Sequence, residues 1–440
     1  MNSHEFINKY TNSFLLLDGA TGTNLQAAGM PAGVCPETWI LENRSILQDL
    51  QRAFYNAGSS VVYAFTFGAN SVKLARHGLP ASADDVITIN RQLADISCEL
   101  RDELRTNNPQ GEYYVAGDLA PTGLFLKPAG ELGFDQLVDI YSQQVRGLLA
   151  AGVDLFVIET MMDLAQTRAA VIAIRQHCDL PILASVTVEA NGRTLSGNSF
   201  ETCLLTLSAL GAQAVGLNCS SGPLAMAENM TAEFRPSDCL LLAKPNAGVP
   251  HLDDNGKSIF DLTPELFASQ MKNFVTRGVN VIGGCCGTTP EHIRELGKTI
   301  SDLKTVEIPD KTQNSGVIVT KQAESHTAIC SGRNVIPIIN WRLWPTIICT
   351  DLDELIDEIY DCLEDEPEAI IIDLSQFDSI DEQEADSVLS DIQMAASQPL
   401  AFISDKRQVQ EAICRYYHGL SLIITDQETA DLPAIIVRKE

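Results

Sequence analysis

The chain lacks long hydrophobic runs. No stretch of its 440 residues approaches the ~18 apolar residues of a membrane span. Near the N-terminus the apolar run Phe14 to Leu17 is too short for a secretory signal. Bases are also scarce. Thirty Lys and Arg stand against 58 Asp and Glu, a formal net charge of −28 and a pI of about 4.5. Nucleic acid is therefore excluded as a partner, because phosphate contacts need clustered Lys and Arg. The same sign argues against an anionic membrane surface. The seven histidines are dispersed, with no H-E-x-x-H, and no G-x-S-x-G nucleophile turn occurs. Neither phosphate-cradling glycine pattern, G-x-x-x-x-G-K-[ST] or G-x-G-x-x-G, is found, so nucleotide binding is not supported. The twelve cysteines are spread over a long chain and do not read as a disulfide framework. A soluble, cytoplasmic protein is expected. In that reduced setting clustered cysteines mean metal or catalysis rather than bridging.

Apolar residues make up 45% of the chain, enough for large cores, and the length suggests two or three domains. Residues 1–304 alternate short apolar strands with helical segments. Eight strand candidates lie at 14–20, 61–67, 113–120, 155–160, 181–188, 214–219, 240–246 and 279–286. The intervening segments are long enough for crossover helices. In one of them Leu137, Ile140, Tyr141, Val145 and Leu148 share a helical face, and Gly152 reads as the stop. Near-continuous apolar strands separated by helices predict a parallel sheet covered on both faces. Eight such units fit a (β/α)8 TIM barrel, with a doubly wound open sheet as the alternative. Residues 305–327 are polar and aperiodic and read as a linker. Residues 328–440 read as a smaller α/β domain, with strands at 334–340, 369–375, 399–404, 420–425 and 434–439. From residue 305 on there are 26 acids against 9 bases, so the acidity is concentrated there.

In a barrel, chemistry sits at the C-terminal ends of the strands. Those ends carry Asp18, Gly19, Ala20 and Thr21 on strand one, Thr66 on strand two, Asp118 on strand three, Glu159 on strand four, Asn218 and Cys219 on strand six, Lys244 on strand seven, and Cys285 and Cys286 on strand eight. Strands six and eight are two apart around a barrel rim. Three thiolates with an exchangeable fourth position would suit a catalytic zinc. Adjacent cysteines in a regular strand point to opposite faces, so both reach one ion only if the strand ends there, and Gly283, Gly284 and Gly287 permit the bend. The other reading is that these cysteines are small core hydrophobes. Asp18 and Glu159 could hold the ammonium of a small zwitterion, or could be helix caps. The turn Gly19 to Thr23 offers backbone N–H groups to a carboxylate. His292 reads as a helix-surface residue.

At these residues the chain resembles the homocysteine S-methyltransferase family, nearest to the N-terminal homocysteine-binding module of cobalamin-dependent methionine synthases. The matching stretches are LDGATGTNLQAAGMPAGVCPETW, TFGANSVKL, AGDLAPTG, GVDLFVIETMMD, GLNCSSGP, KPNAGVP and GVNVIGGCCGTTPEHI, in family order over about residues 12–300. The resemblance implies a (β/α)8 barrel with zinc on Cys219, Cys285 and Cys286. It implies homocysteine near Asp18, Gly19, Ala20, Thr21, Glu159 and Asn218. Two positions depart from the family pattern, both expected near the substrate: Ala64 to Phe67 where Thr-Asn-Thr-Phe is usual, and Gln166 where an acid is usual.

The implied reaction moves a methyl group to the thiol of L-homocysteine to form methionine. The chain has no cobalamin motif Asp-x-His-x-x-Gly. A corrinoid donor such as methylcobalamin would therefore ride on a partner protein. S-methylmethionine and betaine are the other donors the family uses, and a zinc- or thiol-binding protein without turnover is the non-enzymatic reading. The second domain resembles the early strands of a pterin-binding barrel, with anchors at Asp373, Ile380, Asp381, Glu382, Pro399, Ser404 and Gly419. Its first strand would be Gly332 to Ile336. Ligand positions are replaced by Ser375 and Ile403, so a shortened, degenerate pterin-type domain that does not bind folate is expected. A STAS-like interaction domain is the alternative.

Overall fold

The computed structural model describes residues 1–252, 258–306, 327–427, 429 and 432–439. The expected linker, 305–327, falls almost wholly outside the described residues. All eight expected strands form in the first unit: β1 (Leu15–Leu16), β2 (Val61–Tyr63), β3 (Tyr114–Leu119), β4 (Leu155–Met161), β5 (Ile182–Val186), β6 (Ala214–Cys219), β7 (Leu240–Pro245) and β8 (Val279–Ile282). Every pairing among them is parallel, and neighbours follow chain order. Leu17 pairs with Val61, and the Ser60 amide donates to Leu16 O at 2.8 Å, which joins β1 to β2 and closes the ring. The architecture is a (β/α)8 barrel. The open doubly wound sheet is ruled out, because its strand order would reverse at a switch point.

The barrel interior is filled by alternate strand residues, among them Leu15, Leu17, Tyr63, Ala116, Val157, Leu183, Leu242 and Val281. Helix α1 (Ser3–Tyr10) plugs the N-terminal end with Phe6 and Tyr10. The outward residues pack under the helices. These include α2 (Phe134–Ala151), α3 (Leu164–Arg175), α4 (Phe200–Ala209) and α5 (Pro290–Ser301). Helix α2 ends where expected, on Gly152 at φ +79°. Continuing the inward period of two past the apolar layers puts Asp118, Glu159, Asn218 and Lys244 at the C-terminal mouth.

The second unit begins with an antiparallel hairpin, β9 (Ala328–Ser331) and β10 (Asn334–Pro337). A five-stranded parallel sheet follows, in chain order: β11 (Thr346–Ile348), β12 (Ile370–Asp373), β13 (Leu400–Ile403), β14 (Leu422–Ile424) and β15 (Ile435–Val437). Helices α6 (Leu355–Leu363), α7 (Glu382–Ala395) and α8 (Arg407–Tyr416) make the crossovers. This corrects the sequence reading at one point. The 334–340 segment is not the first strand of the parallel sheet; Thr346–Ile348 is. The hairpin lies over the other face of the sheet, where Ile329, Trp341 and Trp344 pack on Ile371, Ala401 and Leu422.

The same cluster reaches Leu205 on α4, so the hairpin is wedged between barrel and sheet. Arg168 of α3, 1% exposed, donates to Cys414 O at 2.7 Å and Arg415 O at 3.1 Å. Asp135 accepts from Arg415 and from the Tyr416 hydroxyl. The two units therefore share a buried, polar-pinned seam. Among the described residues, no helix is long and apolar enough to cross a membrane.

Candidate metal and thiol site

The C-terminal mouth of the barrel encloses a cavity of about 390 Å³. Its floor holds the three expected cysteines. The Sγ atoms of Cys219, Cys285 and Cys286 all lie within 4.8 Å of one another. Three soft thiolates converging from two strand ends suit a borderline-soft divalent ion such as zinc and leave a fourth position open to the cavity. The Cys285 and Cys286 thiols donate to the Cys219 sulfur, which pushes Cys219 down and the other two up.

The backbone is bent to bring these sulfurs together. Cys219 and Ser220 sit at φ +59° and +52°, and Thr160 opposite sits at φ +60°. Each such conformation costs a non-glycine residue about 1–2 kcal/mol. The neighbours that hold it are specific. Ser220 Oγ accepts from the Val188 amide at 2.9 Å and shares a 2.6 Å bond with the Thr187 hydroxyl. After β8 the chain turns through Gly287 at φ +80°, where a Cβ would come within 2.2 Å of the Phe260 ring. The turn is laced back to β7 and β1. Cys285 N donates to Pro245 O at 2.7 Å, Ala247 N to Cys286 O at 2.9 Å, and Gly284 N to Asp18 O at 3.1 Å. Thr288 Oγ1 donates to Cys285 O at 2.7 Å and accepts from the Ala20 amide at 3.0 Å.

Of the nine residues singled out from sequence, seven line the cavity: Gly19, Ala20, Thr21, Glu159, Cys219, Cys285 and Cys286. Asp18 and Asn218 lie behind its wall, 1% and 0% exposed. Asp18 does not present a free carboxylate for an ammonium. One oxygen accepts from Lys244 Nζ at 2.8 Å, the other from the Tyr63 amide at 2.9 Å. Asn218 is a brace. Its Oδ1 accepts from Thr160 N at 2.7 Å and from the Ser185 hydroxyl at 2.8 Å, and its Nδ2 donates to Thr160 Oγ1 at 2.8 Å. Glu159 is pushed up to about 8 by burial, a shift that Lys244 opposes and that Cys285 and Asp18 reinforce.

Three more charged residues line the wall: Glu37, Asp118 and Lys244. Sequence reasoning missed Glu37; it placed Asp118 and Lys244 at strand ends but gave them no role, although parity marks both. Asp118 continues the inward set from Ala116, and Lys244 that from Leu240 and Leu242. The departure at Ala64 to Phe67 does face the site, since Phe65 and Phe67 line it. Gln166 does not line this cavity. Its Oε1 accepts from the Thr122 amide at 2.7 Å and the Tyr141 hydroxyl at 3.0 Å, bracing the loop after β3. His292 is buried rather than on the surface. It lies within hydrogen-bond distance of Thr289 N and Oγ1 and of Leu262 O, as a cap of α5.

The family model for homocysteine S-methyltransferase matches residues 15–300. The chain belongs to the homocysteine S-methyltransferase family. Methionine synthase of Mycobacterium tuberculosis is 32% identical over 299 residues, covering 65% of this chain and 24% of that protein. Methionine synthase of Mycobacterium leprae is 31% identical over 304 residues, covering 66% of this chain and 25% of that protein. The match thus spans about a quarter of the length of these relatives. Among solved structures, the metallated form of the homocysteine methyltransferase MmuM from Escherichia coli superposes with a TM-score of 0.55 at 22% identity, covering 68% of this chain and 99% of that one. The oxidised form gives 0.54 at 23% identity. At that identity the likeness concerns the fold.

Proposed function

We propose that the barrel transfers a methyl group to the thiol of L-homocysteine, forming methionine, with zinc held by Cys219, Cys285 and Cys286. The observation that carries this reading is the convergence of the three sulfurs at the floor of one cavity whose walls are charged. A free thiol is mostly protonated at neutral pH. Zinc bound to the three thiolates would take the substrate sulfur as a thiolate at its fourth position. The chain's own residues do the rest. Gly19, Ala20 and Thr21 form the wall against which the amino-acid end lies, beside Glu159. Asp18 acts through Lys244, and Asn218 holds Thr160 and the end of β6 in place. The thiolate sulfur then forms the new bond to the methyl carbon, and the donor leaves with the electrons of the bond it breaks.

The donor is assigned as methylcobalamin on a partner corrinoid protein. Support comes from the methionine synthases among the relatives. S-methylmethionine and betaine are the rival donors. We read residues 1–304 as the catalytic barrel, 305–327 as the linker and 328–440 as a pterin-type sheet that carries no folate and braces the barrel. The twelve unpaired cysteines fit a reducing cytoplasm.

The test mixes zinc-loaded protein with homocysteine and each donor in turn. Methionine formed from methylcobalamin supports the reading. Methionine from S-methylmethionine or betaine alone would overturn the donor assignment. Stoichiometric zinc with no methionine from any donor would leave a zinc- and thiol-binding protein.

A further inference from the structure

We propose that Arg193 and Arg333 form an oxyanion site in the seam between the two units, one that takes a small molecule bearing phosphoryl or carboxylate groups. The site is separate from the cavity at the barrel mouth and does not depend on the homocysteine reading.

Two hairpins meet in the seam. After β5 the chain folds back so that Arg193 and Ser199 face each other across an antiparallel bridge. In the second unit, β9 and β10 are joined by the two-residue turn Gly332-Arg333, with Gly332 at φ +53°. Glycine at a positive φ in the first turn position suits a tight hairpin. Ser199 N donates to Gly332 O at 3.0 Å, which ties the two hairpins together. Arg193 is thus one bridge and one hydrogen bond away from the residue that precedes Arg333. Both arginines line a single cleft of about 360 Å³.

The chain holds 58 acids against 30 bases, yet these two bases are unpaired. Among the described residues, neither guanidinium has a hydrogen-bond or ion-pair partner. The cleft has one carboxylate of its own, Asp163. That group is engaged elsewhere, since it caps α3 and its Oδ1 accepts from Ala165 N at 2.9 Å. His418 in the wall is kept neutral by burial. Hydroxyls of Ser196, Ser331 and Ser397 complete a largely polar lining. A guanidinium is a planar fork that meets two oxygens of a phosphate or carboxylate at once. Two forks, one from each unit, match an anion of more than one charge. The cleft volume is that of a small-molecule site and leaves room for a body beyond the anionic group. An anion held by both arginines would also pin the second unit to the barrel, because a ligand that binds only the folded state stabilises it.

The test is calorimetric titration of the zinc-loaded full chain with inorganic phosphate and, separately, propane-1,2,3-tricarboxylate, at an ionic strength fixed with chloride. Saturable binding at one site per chain is expected. Arg193→Gln and Arg333→Gln should each weaken it by about tenfold or more, the worth of a charge-assisted bond. The double variant should bind neither anion. Tighter binding of phosphate would assign a phosphoryl ligand, and tighter binding of the tricarboxylate a polycarboxylate. Thermal melts separate binding from structure. Without anion the variants should melt with the wild type, since neither guanidinium has a partner to lose. With the better-bound anion only the wild type should rise. Failure of the wild type to take up either anion saturably would overturn the site. So would equal binding by the double variant, which places the anion elsewhere, or a double variant that melts well below wild type without anion, which makes the arginines structural. Methyl transfer is not read in any arm, so these outcomes leave the homocysteine reading untouched.

Discussion

Asn218 Oδ1 accepts the Thr160 amide proton at 2.7 Å, which ties the end of β6 to the end of β4. The bond holds Thr160 at φ +60°, and Asn218 is followed directly by Cys219 at φ +59°. One buried amide therefore fixes two strained backbone positions, one of them a proposed metal ligand. Asn218→Ala leaves the Thr160 amide without its acceptor and Ser185 without its partner. Denaturant unfolding should show a loss of about 1–3 kcal/mol. Zinc affinity, measured by chelator competition, should fall as well. Unchanged zinc affinity would show that Cys219 is held in place without this brace.

The cysteine cluster makes a second, independent prediction. Cys219→Ala removes one of three converging sulfurs, leaving two ligands, too few for a stable closed site. Metal analysis should find zinc lost together with methyl transfer. Chelation of the wild-type protein should abolish transfer in the same way, and added zinc should restore it. A Cys219→Ala protein that keeps one zinc per chain would remove the cluster from consideration as the metal site.

The barrel could be read from sequence because its strands are near-continuous apolar segments between helices, a pattern with few other solutions. The cysteines could be read because strand ends locate the mouth. The Asp18–Lys244 pair could not. Its partners lie 226 residues apart, and only ring closure brings β1 and β7 onto the two sides of β8. From sequence Asp18 therefore reads as a seat for an ammonium or as a helix cap, not as the partner of a lysine. The buried Oδ1 of Asp118, which has no hydrogen-bond partner among the described residues, was equally hidden, since a missing hydrogen bond leaves no trace in a sequence. In the second unit the three-residue strand Thr346–Ile348 was overlooked. It is an edge strand, largely exposed, and carries no long apolar run. The stronger β signal of Asn334–Pro337 belongs to a hairpin, a distinction set by antiparallel pairing with residues 328–331.

The seam between the units predicts a thermal phenotype. Arg168 is fully buried, with no carboxylate partner among the described residues, and it caps the C-terminal end of α8 through the Cys414 and Arg415 carbonyls. A cation at that end also meets the negative pole of the helix. Arg168→Ala removes both bonds and opens a void beside the Phe134 ring, over which the guanidinium lies at 5.5 Å. The expected cost is about 3 kcal/mol. Scanning calorimetry should show the second unit melting ahead of the barrel. A single transition at the wild-type temperature would mean that the apolar wedge on Leu205 alone holds the units together.

The same seam should respond to acid. His418 packs against Phe134, its rings 5.9 Å apart, and its Nε2 is shielded with no partner. Burial, with the Arg168 charge adding to it, pushes the imidazole down to about 3. In the unfolded chain it titrates near 6.5. Between these values the unfolded state binds a proton that the folded state refuses, so folding stability is greatest above about pH 6.5 and falls as the pH drops toward 3. The slope owed to this one group is about 1.4 kcal/mol per pH unit within that window. His418→Gln carries no titratable ring, and its unfolding free energy should decline less steeply over the same range. The backbone bond from the residue 418 amide to Gln393 Oε1 does not use the side chain and is retained in the variant. Denaturant titrations at several pH values would decide the matter. Parallel curves for the two proteins would show that acid loosens the molecule through its carboxylates and not through this ring.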